Sequence, residues 1–138
     1  DPRNPEIKSI INRTIKNRED FRPFAPSVLV EHYQEYFETN QPSPYMARIC
    51  PVKSDRVPGI THLDNTARIQ TVSKEDNPKY HELISEFYKI TGIPMVLNTS
   101  FNSQEPIVET PKEALYTFNN TEMDMVVIND YIVRKVGR

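Results

Sequence analysis

The chain has 138 residues, 37% of them apolar and 26% charged, which is the size and make-up of one globular domain with one hydrophobic core. No apolar run reaches the roughly eighteen residues of a membrane span, and no secretory leader is recognisable, so no membrane partner is expected. A net charge of −2 speaks against a dedicated nucleic-acid binder. The single Cys50 excludes an internal disulfide and reads as a buried thiol, which suits a reducing cytoplasm.

Asn4 and Pro5 open a predicted helix over 5–18, with Ile7, Ile10, Ile11 and Ile15 on one face. At about 100° per residue, Lys16 falls opposite that stripe and is expected to reach solvent or a pocket. Pro23 and Pro26 stiffen an extended segment over 21–26. A short strand at 28–30, a brief helix over 31–37 and a loop over 39–44 follow. Strands are expected over 45–52 and 59–62, separated by a polar turn, with a second turn at Asp64-Asn65. Over 67–72 the chain alternates, with Ala67, Ile69 and Thr71 on one side and Arg68, Gln70 and Val72 on the other. A helix over 78–91 is capped by Asn77 and ended by Gly92, and buries Tyr80, Leu83, Ile84, Phe87 and Tyr88. The apolar run 93–97 reads as a central, doubly covered strand. Thr110 and Glu113 form a capping box for a helix to about 118, and 125–128 pairs with 131–134 around Asn129-Asp130. The stretch 134–138 reads as a solvated end. Together these elements predict an α/β (α+β) domain with a mixed sheet and flanking helices.

The three glycines fit neither GxxxxGK[ST] nor GxGxxG, so any phosphate must be held largely by side chains. Three segments offer suitable ones. Lys16, Arg18 and Arg22 stand beside the proline-stiffened stretch, in a basic segment with six cations and four carboxylates over 1–22. Arg supplies a planar fork for phosphate and Lys a compact charge, although Arg22 paired with a surface carboxylate is the plain alternative. Arg68 and Gln70 share a strand face and can address one ligand, or else line an exposed sheet surface. Asn98, Thr99, Ser100 and Asn102 follow an apolar strand, where ligands collect in open α/β sheets and where turns also favour such residues. The three histidines make no metal-ligand spacing, and His62 with Asp64 reads first as structural. Ser100 has no evident base and acid partners for a hydrolase triad.

Four of these segments, in this order, resemble one family. K-x-R-E-x-F-R-P-F-A-P at 16–26, T-H-x-D-x-T-A-R-x-Q-T-V at 61–72, N-P-x-Y-H at 77–81 and L-N-T-S-F-N…E-P-I-V at 97–108 are similar to O-carbamoyltransferases of the nodulation and antibiotic-tailoring type. The resemblance runs to about residue 135 and implies most of a smaller C-terminal, YrdC-like α/β domain, with 1–138 as one N-terminally truncated piece. Such a domain is expected to turn carbamoyl phosphate and ATP into carbamoyl adenylate. An actin-like ATPase-type N-terminal domain is its expected partner, carrying the divalent metal or iron and the acceptor site. On this resemblance Lys16, Arg22 and Arg68 bind donor or nucleotide phosphates. Asn98 and Ser100 are expected to help hold the carbamoyl or nucleotide end, with Arg18, Gln70, Thr99 and Asn102 as further substrate- or nucleotide-binding residues. The family's upstream GPRALGNRS-like stretch is missing, and only Ser103-Gln104 separates Asn102 from Glu105, which leaves part of the site and the loop geometry open. Two other readings stand beside it: threonylcarbamoyl transfer onto RNA by the same fold, and a non-enzymatic anion-binding docking module.

Overall fold

The structure, a computed structural model, describes residues 1–136. Gly137 and Arg138 of the expected solvated tail lie outside the described residues. The chain gathers into two compact units, Asp1–Lys8 with Pro23–Thr99, and Ser9–Arg22 with 100–136.

The first unit is built on a mixed four-stranded sheet. Strands β1 (Ala25–Leu29), β2 (Arg48–Pro51), β3 (Thr66–Val72) and β4 (Met95–Asn98) lie in the order β2-β3-β1-β4. β1 runs parallel to β3, while β2 and β4 are antiparallel to their neighbours. The expected alternation of the third strand holds: Ala67, Ile69 and Thr71 are buried and Arg68 is exposed. One face of the sheet carries the main core, in which Val28, Phe37, Ile60, Ile69, Ile93 and Met95 are buried together and Cys50 is included. Leu29, Val72 and Val96 line the other face against Tyr80, Ile84 and Tyr88 of helix α3 (Pro78–Thr91). Asn77 caps α3 by accepting from the Tyr80 amide, and Gly92 ends it at φ +70°. Helix α2, expected over 31–37, is the single turn Tyr33–Tyr36.

Two strand expectations are corrected. The stretch 59–62 is not a strand; Pro58–Ile60 forms a 3-10 turn, because Gly59 sits against the Pro2 carbonyl and bonds to it at 2.8 Å. A Cβ on Gly59 would fall 2.7 Å from the Ile7 side chain. β4 is covered on both faces as expected, yet it is not central: among the described residues it pairs only with β1 and lies at the sheet's end. Its apolar run reports burial, which a strand at the edge of a sheet achieves equally well when core and helix sandwich it.

The second unit holds helix α4 (Pro111–Asn119), whose capping box between Thr110 and Glu113 is complete, and the hairpin β5 (Met125–Ile128) and β6 (Tyr131–Arg134). Ala114, Phe118 and Val126 are buried there. The first predicted helix is shorter than its pattern. α1 covers only Ile7–Ile11, and 12–16 widens into a π-helical turn that ends at Asn17 in the left-handed region, φ 47°.

Candidate functional site

The π turn decides where Lys16 goes. A regular α-helix would carry it away from the isoleucines, but the wider turn rotates the following residues, and Lys16 is only 3% exposed. Its ammonium donates to the Ser100 carbonyl at 2.6 Å and the Asn102 carbonyl at 2.9 Å. Asn102 Oδ1 at 2.9 Å and Ser100 Oγ at 3.1 Å complete the set. Of the two expected positions for Lys16, solvent or a pocket, solvent is excluded: it is tied to the loop that follows β4, beside two of the predicted site residues.

That loop is braced in turn. Ser100 Oγ donates to Asn102 Oδ1 at 2.6 Å, and the Asn102 amide donates to the Glu105 carbonyl at 2.7 Å. Glu105 accepts from the Thr117 hydroxyl and from the Gln104 amide. These bonds, led by Thr117, hold its carboxyl down to about 2. Burial, with a smaller push from the Arg18 charge, lowers Lys16 to about 8, and Glu105 pulls weakly the other way. Lys16 is thus a cation at neutral pH that loses its proton far more readily than an exposed lysine.

Arg18 donates from Nε to Asn12 Oδ1 at 2.7 Å, and burial and the neighbouring Arg22 charge lower it from its ordinary value. Asn12 is fully buried and its amide also donates to the Asp20 and Arg22 carbonyls, so it folds the segment 17–22 back on the π turn. Arg22 is exposed, and its guanidinium makes no hydrogen bond or ion pair among the described residues. The second unit therefore brings Lys16, Ser100 and Asn102 together and places Arg18 and Arg22 as neighbouring charges.

Arg68, Gln70, Asn98 and Thr99 belong to the first unit. Gln70 Oε1 accepts from Ser27 Oγ at 2.7 Å and Asn98 Nδ2 at 2.8 Å, while its own amide donates to the Pro44 carbonyl at 3.3 Å. Gln70 and Tyr80 also line a cleft of about 290 Å³ with Tyr45, Asp76 and Asn77. Arg68 is exposed on the same strand face as Gln70 and its guanidinium makes no hydrogen bond among the described residues; its charge helps lower the His62 pKa, after burial. Thr99 is exposed. His62 and Asp64 do not share a strand face; both bond to Thr66 and hold a turn, with Asn65 at φ 61°.

Sequence reasoning passed over Asn12, Ser27, Glu105 and Thr117. Asn12 lies off the isoleucine stripe, about 140° from Ile7 at 100° per residue, so the helical pattern carries no sign of its buried role. Among the described residues no three His, Cys, Asp or Glu side chains cluster as a metal site.

The sequence matches the family described as Carbamoyltransferase C-terminus over residues 1–135. It is 44% identical to the nodulation protein NolO of Bradyrhizobium diazoefficiens over 98% of the chain and 26% of that protein. It is 44% identical to the nodulation protein NolNO of Sinorhizobium fredii, over 98% of the chain and 21% of that protein. An uncharacterized protein of Synechocystis sp. is 42% identical over the whole chain and 26% of its own length. The chain thus spans 21–26% of the length of these relatives. With the four motifs and this match in agreement, the chain belongs to the carbamoyltransferase family, matching the region described as its C-terminus.

Proposed function

We propose that this region binds carbamoyl phosphate and ATP and forms carbamoyl adenylate, which the N-terminal part of the longer protein transfers to an acceptor hydroxyl. Mass balance sets the chemistry. Water displaces phosphate from carbamoyl phosphate, and a carbamate oxygen then attacks the α-phosphorus of ATP. The bond between the α-phosphorus and the bridging oxygen breaks, and pyrophosphate leaves. Negative charge builds on phosphoryl oxygens throughout, and fixed cations in a partly dry site are the groups that stabilise it.

The carrying observation is the Lys16 ammonium, buried yet charged, against the Ser100 and Asn102 side chains. A lysine costs free energy to bury, its acceptors here are neutral and Glu105 acts on it only weakly, so an arriving anion adds counter-charge. Arg18 stands beside it as a second cation. Asn102 keeps a second amide hydrogen beyond the one given to the Glu105 carbonyl, which suits a carbamoyl carbonyl or a phosphate oxygen. Arg22 and Arg68 are proposed to meet further phosphate oxygens; the metal or iron expected of such enzymes is assigned to the N-terminal part, and no step here passes through it.

Labelled pyrophosphate exchange into ATP, run on full-length protein with carbamoyl phosphate present, tests the reading. Exchange that depends on carbamoyl phosphate is expected, with Lys16→Met slowing it on the order of 10²-fold. An absence of exchange in the unmodified protein overturns the proposal.

A further inference from the structure

The α3 side of the sheet changes character along its strands. Leu29, Val72 and Val96 pack under α3. Two residues further along each strand, on the same face, come Ser27, Gln70 and Asn98; Ser27 stands opposite Gln70, while Asn98 lies opposite Ala25, two residues beyond the Ser27↔Val96 pair, and its side chain reaches Gln70 diagonally. The apolar face under the helix thus gives way to a polar cluster drawn from three strands and joined by side-chain hydrogen bonds. Ser27 within it is fully buried and Asn98 is half-buried.

The hydrogen bonds in that cluster have a fixed direction. The Pro44 carbonyl can only accept, so the Gln70 group facing it at 3.3 Å is the amide nitrogen. Gln70 Oε1 must then point the other way, where it accepts from Ser27 Oγ at 2.7 Å and Asn98 Nδ2 at 2.8 Å. The second hydrogen of Asn98 Nδ2 is directed at Met46 Sδ, 3.8 Å away, from a loop in which Met46 holds φ 54°. Both donors of Asn98 are therefore engaged. Its Oδ1 accepts no hydrogen bond among the described residues. Turning the Asn98 amide over would set Oδ1 against Gln70 Oε1, acceptor against acceptor, and the Pro44 carbonyl prevents Gln70 from turning with it.

We propose that Asn98 is a specificity-determining residue that accepts a hydrogen bond from a conjugated amino group of the donor ligands, and that Gln70, locked by the Pro44 carbonyl, is the positioning residue that sets this polarity. The inference rests on the carbamoyl adenylate reading, whose two ligands each carry one such group, the carbamoyl amide and the adenine 6-amino group. An asparagine fixed in this sense offers an acceptor and no donor. It favours an NH₂ and disfavours a methyl, which leaves Oδ1 unpaired, or a carbonyl, which opposes it.

The test is isothermal titration of the full-length protein with two matched pairs: carbamoyl phosphate against acetyl phosphate, and ATP against inosine triphosphate. Unmodified protein should prefer the amino-bearing member of one pair by about tenfold or more, and the pair that shows it identifies the group read. Gln70→Leu and Asn98→Ala should each bring that ratio to within about twofold, by weakening the amino-bearing ligand alone. A general loss of structure weakens both members and leaves the ratio standing, so the ratio separates reading from packing. Should Gln70→Leu not fold, Asn98→Ala, half-buried at a strand end, carries the same comparison. Ratios near one in unmodified protein, or ratios that neither variant changes, overturn the inference while the donor reading survives. Failure of unmodified protein to bind any of the four ligands overturns both.

Discussion

Burying an ammonium among neutral acceptors makes its proton easier to lose, and Lys16 therefore titrates at about 8 against an ordinary 10.5. Two opposite pH dependences follow. Between about 8 and 10.5 the unfolded chain holds the Lys16 proton while the folded chain has released it, so stability gains from this residue as pH rises through that window. Anion binding needs the ammonium and should weaken as pH rises through about 8. Titration of carbamoyl phosphate into full-length protein from pH 7 to 9.5, beside urea unfolding at the same pH values, should show both trends, and Lys16→Met should flatten both. Binding that stays constant to pH 9.5 would remove Lys16 from the anion site. Glu105 has the reverse sign. Its carboxyl lies at about 2, chiefly through the Thr117 hydroxyl, so the stability it contributes is present above about 4.5 and is lost as pH falls through about 2. Thr117→Val keeps the buried volume and deletes that bond. It should cost about 1 kcal/mol at pH 7, with the deficit shrinking as acid titrates the carboxylate. A deficit that is equal at pH 7 and pH 2 would show that Thr117 acts by packing alone.

At the scale of elements, local signals that act through the backbone were the most legible in the sequence. Asn77, Pro78 and Gly92 bracket α3 at the positions observed, and Thr110 with Glu113 opens α4 as a reciprocal cap. The hairpin around Asn129-Asp130 forms with Asn129 at φ 52°, the left-handed conformation that a two-residue connection demands. What escaped was whatever depends on residues distant in sequence. The isoleucine spacing of the first helix carries no sign that Asn12 will bond to 20 and 22 and open a π turn, so the burial of Lys16 against the loop after β4 is not legible in it. The stretch 59–62 has strand-like residues, but the close approach of Pro2 to Gly59 imposes a 3-10 turn. Gly92 offers a clean test of the backbone argument. A Cβ there meets nothing closer than the Arg56 guanidinium at 3.7 Å, so the cost of Gly92→Ala comes from φ +70° rather than from a clash. Urea unfolding should register a loss of about 1–2 kcal/mol, with Gly92→Asn losing less because asparagine tolerates this region better. An alanine variant as stable as the parent would mean the C-cap can relax out of the left-handed conformation.

Across the whole molecule, the candidate site was legible as residue types and illegible as geometry. Lys16, Ser100 and Asn102 were each identified from their segments, but only the fold shows the ammonium and the loop in direct contact within one unit, while Arg68, Gln70 and Asn98 belong to the other. The two units also differ in what holds each together, and this has a measurable consequence. The first encloses both apolar clusters and a four-stranded sheet with a helix packed on one face. The second has a two-stranded sheet whose Met125, Val127 and Ile132 are exposed, with a small core around Phe118 and Val126. A two-stranded sheet is marginal by itself, and hydrogen exchange follows the cheapest opening available to each amide. Amides of β1 and β3, inside the larger sheet, should exchange only through global unfolding, with protection that falls in step with urea. Amides of β5 and β6 should exchange through local opening, at least about a hundredfold faster and with little dependence on low urea. Native-state exchange on the chain decides the matter: equal protection and equal urea dependence in both sheets would mean that the hairpin opens only when everything does. The faster behaviour would place the loop that holds Lys16 in the more labile unit, where ligand binding has the most ordering left to do. Carbamoyl phosphate should then slow exchange in 100–136 while leaving β1 and β3 unchanged at low urea.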